Sequence, residues 1–387
     1  MSKTYCPAPW ISLNILPGEA RPCCQWDGKG GCVDLNQYTT LDKSDVEKMF
    51  IDTREDMLAG KEVIGCEQCY SAENSGVKSR RQELIEQYGI VSEVETKTLD
   101  ISFDNICNLK CRGCCSTSSH LWQHDENKIY GRPVVSSKDK KYLENNVDIN
   151  LDSLEYINVS GGEPFLSKKF KEFTDTLLEK NNLENLNLTI TSNATVIPSD
   201  NIYKLMLAAK ELSLSLSIDG LGDLNHYFRH GADFDKCLET LEFFKNLKTL
   251  RGNKHTYLQI HTTVSIYNVN LLADIENFFQ QHYKEYNCTH RVLYWPEQLC
   301  IQNIPNDLKE KIRPIVESYG EKYTDVLHEL NAPGKDIFGH FVNFHSLLDN
   351  LRNESLESVN PLLSEYIKNY KNPHTESRSF FLKQIRG

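Results

Sequence analysis

Cys107, Cys111 and Cys114 stand in the stretch ICNLKCRGCC, a C-x3-C-x2-C spacing on one short segment. Three thiolates delivered by one loop can wrap a cubane of iron and sulfide, because iron–sulfur ligation favours soft thiolates. Such a loop leaves the fourth iron open unless a distant residue closes it, and an open position is what a catalytic metal centre needs. Further along comes VSGGEPFL, with Gly161, Gly162, Glu163 and Pro164. Its paired glycines let the backbone approach a ligand closely, and its carboxylate can accept from an ammonium group. Cys115 has the wrong spacing for the set and reads as a packing or redundant thiol.

A second group of thiols precedes the first: Cys6, Cys23, and the pair Cys66 and Cys69 in a C-x2-C loop. Two single thiols and such a loop make a four-ligand site once the ends fold together. Cys24 and Cys32 compete for the place of Cys23, and four thiolates at this spacing also suit a structural zinc ion. Of the 13 cysteines, only Cys237, Cys288 and Cys300 lie apart from these groups. The stretch MSKTYCPAPW lacks the apolar centre of a signal peptide, and no segment is apolar enough to span a bilayer. The expected location is therefore the cytoplasm, where thiols stay reduced and clustered cysteines point to metal rather than disulfides. Lys and Arg total 43 against 54 Asp and Glu, a formal charge of −11, which argues against a sequence-independent grip on nucleic acid. A hydrophobic share of 39% is too high for a disordered chain.

These residues need elements to hold them. Strands are expected at Leu99–Asn105, Tyr156–Ser160, Leu186–Ser192, Leu212–Asp219, Tyr257–Val264 and Thr289–Trp295, all rich in β-branched, aromatic or other apolar residues. Helices are expected between them at Lys168–Lys180, Asp200–Lys210 (with Ser199 or Asp200 as its cap), Asp233–Leu250 and Asn270–Tyr283. Alternation at this spacing means right-handed βαβ units and a parallel sheet. The fold class is α/β. Six strands fit an open, partial (β/α)6 barrel, with a doubly wound sheet as the alternative. Three parts are expected: a small Cys-rich N-terminal module over 1–95, the barrel over 96–300, and a helical C-terminal extension over 301–387. The module carries little strand signal, with helices at Lys43–Ala59 and Lys78–Tyr88. The polar insertion Ser116–Val147 reads as two helices broken around Gly131, and Lys138–Lys141 as a solvated face. The extension should hold helices at Asn306–Tyr319 and Phe338–Leu351.

With both motifs in view, the chain resembles the radical S-adenosylmethionine (SAM) superfamily. The resemblance implies that Cys107, Cys111 and Cys114 hold a [4Fe–4S] cluster and that the segment Gly161–Glu163 meets the amino group of SAM. It implies reductive cleavage of SAM to a 5′-deoxyadenosyl radical that removes hydrogen from substrate. Ser192 and Asn193 resemble the family's polar pair near the ribose and carboxylate. SLSIDG with Ser217 and Asp219, followed by His226 and Arg229, resembles the stretch whose serine and arginine hold the SAM carboxylate. His261 lies mid-strand, either against substrate or as a core histidine. The aromatic residue that the family usually carries before the third cysteine is Gly113 here.

The N-terminal cysteines resemble the auxiliary-cluster modules called SPASM and twitch domains, although those usually follow the barrel. By that resemblance Cys6, Cys23, Cys66 and Cys69 would bind one auxiliary [4Fe–4S] cluster. Radical SAM enzymes with such modules mostly modify peptides or proteins, so a peptide or protein substrate is implied, with an external electron donor such as flavodoxin or ferredoxin. A small-molecule radical SAM oxidase or mutase is the second reading, and a non-catalytic zinc-binding module the third. Arg80 and Arg81 read either as partners of a substrate carboxylate or as a solvated helix face.

Overall fold

A computed structural model describes residues 3–28, 30–35, 38, 41–131, 147, 148, 150–179 and 183–371. Nine strands form its main sheet: β1 (Ser12–Leu16), β2 (Glu19–Arg21), β3 (Val33–Asp34), β4 (Thr98–Ser102), β5 (Tyr156–Ser160), β6 (Asn187–Ser192), β7 (Glu211–Ser217), β8 (Thr256–Val264) and β9 (Asn287–Val292). Across the sheet they run β9-β8-β7-β6-β5-β4-β1-β2-β3. From β4 to β9 every pairing is parallel and follows chain order. A doubly wound sheet would reverse its order at a switch point, and none occurs in this run. The architecture is the partial (β/α)6 barrel.

Alternation along the strands separates two faces. Leu99, Ile157, Ile190, Leu214 and Ile260 join Phe170, Leu205, Phe244 and Phe279 of the flanking helices in one buried core. Each such side chain contributes about 1.5–3 kcal/mol on burial. The other face carries Asp100, Asn158, Thr191, Ser215, Gln259 and His261, all only partly buried. A polar row here leaves that side fit to meet a ligand rather than a second apolar layer.

The N-terminal region departs from expectation. It is not poor in strands: β1 pairs in parallel with β4, from Ser12 beside Thr98 to Ile15 beside Ile101, and β2 and β3 extend the sheet antiparallel. Ser12 and Asn14 interrupt the apolar residues of β1 and hide its buried character; the Thr98 hydroxyl donates to Ser12 Oγ at 2.7 Å. The single helix expected over Lys43–Ala59 is two helices, Lys43–Lys48 and Ile51–Leu58, because Met49 is extended and Phe50 left-handed at φ 61°. The break lets Met49 and Phe50 enter the barrel core while Met57 enters a separate N-terminal core.

Beyond the barrel, the helices Asn306–Ser318 and Phe338–Arg352 match expectation, whereas Thr324–Asn331 and Pro361–Asn369 are additional. Together they bury Leu308, Ile312, Phe341 and Phe344 in a third core. Of the insertion after β4, the helix Trp122–Tyr130 is present, ended by Gly131 at φ 75°. Its expected second helix and Lys138–Lys141 lie outside the described residues. No helix among the described residues is long and apolar enough to cross a membrane.

Candidate active site

The loop after β4 brings Cys107, Cys111 and Cys114 into one cluster with Leu109 and Ala232. Its shape comes from a pair of backbone clamps. On one side the GGEP turn, leaving β5, donates from the Gly162 and Glu163 amides to the Asp104 and Ile106 carbonyls at 3.2 and 2.7 Å. The glycines serve this approach: a Cβ on Gly162 would sit 2.3 Å from the Ile106 oxygen, and one on Gly161, at φ 123°, 2.6 Å from Ser102 Oγ. The glycines thus let the cysteine loop close against this turn, a contact that the motif alone does not reveal. On the other side a two-residue strand, Arg229–His230, pairs antiparallel with Lys110–Cys111.

Glu163 lies at the centre, 1% exposed. Its Oε1 accepts from Ser192 Oγ at 3.0 Å and from the Phe165 amide at 3.2 Å, and its Oε2 accepts from the Asn193 amide at 2.7 Å. Burial pushes its carboxyl up to about 7 despite those donors. The Asn193 side chain, through Nδ2, reaches Cys107 Sγ at 3.7 Å and donates to Asn108 Oδ1 at 2.8 Å. Ser192 and Asn193 thus meet the GGEP motif, a link that strand-by-strand reading did not foresee.

Arg229 is buried, its Nε donating to Asp219 Oδ2 at 2.7 Å and its Nη1 lying 4.0 Å from Cys111 Sγ. Asp219 also accepts from the Thr263 amide at 2.6 Å, which fixes its rotamer. A hydrogen bond from Cys114 is the main cause that lowers the Cys111 thiol, with the Arg229 charge adding to it. Cys107 is pushed up to about 11 by burial. Ser217 ends β7 half-buried, in register with His261 on β8. His261 Nδ1 lies 3.0 Å from Thr289 Oγ1 of β9, on the polar face. Phe228, buried, presents its ring 3.4 Å from where a Gly113 Cβ would stand.

Sequence reasoning missed Arg112. This fully buried side chain donates from Nε to the Tyr227 carbonyl at 2.9 Å and stacks its guanidinium 3.7 Å from the Tyr227 ring centroid. It then reaches Asp349 and Glu354 of the C-terminal extension. Nearby, Trp122 Nε1 donates to the Cys111 carbonyl at 3.0 Å, and Lys110 to Asp125 at 2.9 Å. A charged residue inside a ligand loop was the available signal, since burial obliges it to find partners.

In the N-terminal core a second cavity is lined by Cys6, Cys23, Cys66 and Cys69, with Trp26, Met57, Arg80 and Arg81 around it. Cys24 and Cys32, the competing thiols, are not among its lining residues. Cys66 precedes the helix Glu67–Asn74 and Cys69 follows one turn in, the Cys69 amide donating to the Cys66 carbonyl at 3.0 Å. Gly65, at φ 102°, gives room to the Trp26 ring, 2.3 Å from where its Cβ would stand. Burial pushes the Cys6 and Cys66 thiols up to about 12. Arg81 pairs with Glu73 and donates to the Tyr5 carbonyl at 3.0 Å, so its role here is structural.

Residues 101–262 match the radical SAM superfamily. That stretch is thus a radical SAM domain, of the family that binds a [4Fe–4S] cluster and SAM. The residues present fit that pair: three sulfurs on one loop, a buried carboxylate and a buried guanidinium beside them. Solved structures similar to this chain include native anSMEcpe with bound AdoMet and Cp18Cys peptide, at 18% identity over 63% of this chain and 64% of that one, with TM-score 0.35. Streptococcus suis SuiB bound to S-adenosylmethionine is 16% identical over 77% of this chain and 65% of that one, with TM-score 0.36. TYW1 with a lysine-pyruvate adduct is 15% identical over 70% and 80%, with TM-score 0.34. The chain spans just under two thirds of the length of the first two. No curated protein matches it.

Proposed function

We propose that this chain is a radical SAM enzyme that removes hydrogen from a peptide or protein substrate. The observation that carries the reading is the meeting of Cys107, Glu163, Asn193 and Arg229 around one loop at the C-terminal end of a parallel sheet, where barrel enzymes bind ligands. Cys107, Cys111 and Cys114 would hold three irons of the [4Fe–4S] cluster. Glu163, kept ionisable by its three donors, would take the SAM ammonium, with Gly161 and Gly162 holding the turn. Arg229, oriented by Asp219, and Ser217 would face the SAM carboxylate, and Ser192 and Asn193 would orient Glu163. When bound, the cluster and SAM supply a hydrogen-abstracting radical once an electron arrives. The protein positions this pair and keeps water from it.

Cys6, Cys23, Cys66 and Cys69 would bind an auxiliary [4Fe–4S] cluster, in a SPASM- or twitch-like module. A peptide substrate is supported by this second cysteine set and by the polar barrel face, whose row of hydrogen-bonding side chains suits peptide amides. The electron would come from a flavodoxin- or ferredoxin-like donor, and the working compartment is the cytoplasm.

The test is anaerobic reconstitution, reduction, and incubation with peptides encoded beside the gene, following 5′-deoxyadenosine and peptide mass. SAM cleavage with a mass change in one peptide is the expected result. Absence of cleavage by protein with verified clusters sinks the mechanism. Deuterium passing into 5′-deoxyadenosine from a labelled metabolite but never from peptides assigns a small-molecule substrate instead.

A further inference from the structure

Behind the cysteine loop, on the side formed by the C-terminal extension, three side chains converge that the radical chemistry does not use. His226 lies in the helix Asp223–Phe228, His230 on the strand paired with Lys110, and Glu354 just past the helix Phe338–Arg352. Each offers one ligand atom, and among the described residues these atoms all lie within 4.8 Å of one another. We propose that His226, His230 and Glu354 bind a divalent transition-metal ion of zinc's type, separate from both cysteine centres.

The hydrogen bonds around the three prepare them for it. His226 Nδ1 lies 3.0 Å from the Ala232 carbonyl oxygen. A carbonyl only accepts, so Nδ1 carries a hydrogen, and in the neutral form of the ring the lone pair belongs to Nε2. That lone pair stands 3.7 Å from Glu354 Oε1, too far for a hydrogen bond. A cation seated between these two atoms would satisfy both. Anchoring the second ring nitrogen on a carbonyl is how proteins fix a metal-binding histidine. Glu354 is fixed in the same way, because its Oε2 accepts from Arg112 Nη2 at 2.7 Å and leaves Oε1 for the site. His230 Nδ1, 2.6 Å from Oε1, completes the trio, the ion replacing the proton that joins that pair.

Two imidazoles and a carboxylate form a borderline-hard donor set of the kind zinc and iron take, with one coordination position left over. The His226 side chain is 51% exposed, so that position opens to solvent and the ion has a path in. Bound there, the ion would tie the C-terminal extension to the Arg229–His230 strand that backs Cys111. It would act as a latch on the cluster loop, not as a reaction centre.

The probe is zinc alone. Holoenzyme with iron already loaded is equilibrated with zinc chloride, desalted, and assayed for zinc, iron and sulfide, beside His226→Gln and Glu354→Gln treated identically. Wild type should retain one zinc per chain more than either variant at equal iron and sulfide, and zinc should raise the Tm of wild type only. His226 is half exposed, so its variant folds even if Glu354→Gln does not. Equal zinc in wild type and His226→Gln overturns the proposal, whatever the SAM chemistry of either protein.

Discussion

Arg112, set between two cysteines of the cluster loop, ends 2.6 Å from Asp349 in the helix Phe338–Arg352. The barrel and the C-terminal extension are joined at this ion pair, and the guanidinium is wholly buried while Asp349 is 16% exposed. Removing one partner of such a pair leaves an uncompensated buried charge, which costs about 3–5 kcal/mol. Arg112→Ala should therefore lower stability by about that much and reduce iron retention. Denaturant unfolding with iron analysis checks it, and an unfolding midpoint like wild type would remove Arg112 from this role.

Glu163→Gln keeps the shape and the Ser192 contact but loses the charge. A charge-assisted hydrogen bond is worth about 1.5–3 kcal/mol, so SAM should bind roughly 10- to 100-fold more weakly while iron content holds. Equilibrium dialysis with labelled SAM reads this directly. Unchanged affinity would mean that another residue receives the ammonium.

At Gly162 any side chain must displace the backbone ahead of Cys107, whereas at Gly113 an added methyl meets only the Phe228 ring at 3.4 Å. Gly162→Ala should lose the [4Fe–4S] signal and destabilise the chain by more than about 2 kcal/mol. Gly113→Ala should keep both. Electron paramagnetic resonance of the reduced proteins compares them, and equal spectra contradict the clamp.

For the N-terminal cavity, Cys66→Ala should remove roughly half of the iron, as expected for one of two [4Fe–4S] clusters. Cys24→Ala, outside the cavity, should remove none. Zinc in place of iron after reconstitution would return this site to a structural role.

His345 gives a pH prediction away from either cysteine set. It is buried in the C-terminal core, its Nδ1 2.9 Å from Tyr227 Oη, and burial pushes it down to about 4. The folded value lies below the ordinary 6.5, so the unfolded chain binds the proton first as pH falls. Stability is then whole above pH 6.5 and drains between there and about pH 4. Linkage gives a loss of about 2 kcal/mol at pH 5 relative to pH 7.5. His345→Gln should lack this increment in urea titrations at the two pH values, and parallel losses in both proteins would assign the acid sensitivity elsewhere.

The barrel was legible because its strands alternate on two faces and its helices repeat at the helical period; the ends of the six expected strands, such as Asn105 against Ser102, fall no more than about three residues from those observed. The cysteine loop and GGEP were legible because ligand chemistry restricts residue type and spacing together. Three features escaped. β1 hides its pairing behind Ser12 and Asn14, whose polarity cancels the apolar signal of a strand buried on both faces. The break at Phe50 depends on two cores competing for one segment, which no local pattern records. The Arg112 contacts and the His226–His230–Glu354 group join residues more than a hundred positions apart, so only the folded topology brings them together.

Because β1 lies against β4, the first barrel strand has no free edge; the sheet stops instead at the two-residue strand Val33–Asp34. So short a terminus offers little template for another chain to pair with. A protein truncated just ahead of Thr98 would lay bare a row of unpaired amides along the strand that leads into the cysteine loop. It should self-associate through that edge, and the Cys-rich module cannot be treated as a detachable accessory: its strand covers the barrel's first edge.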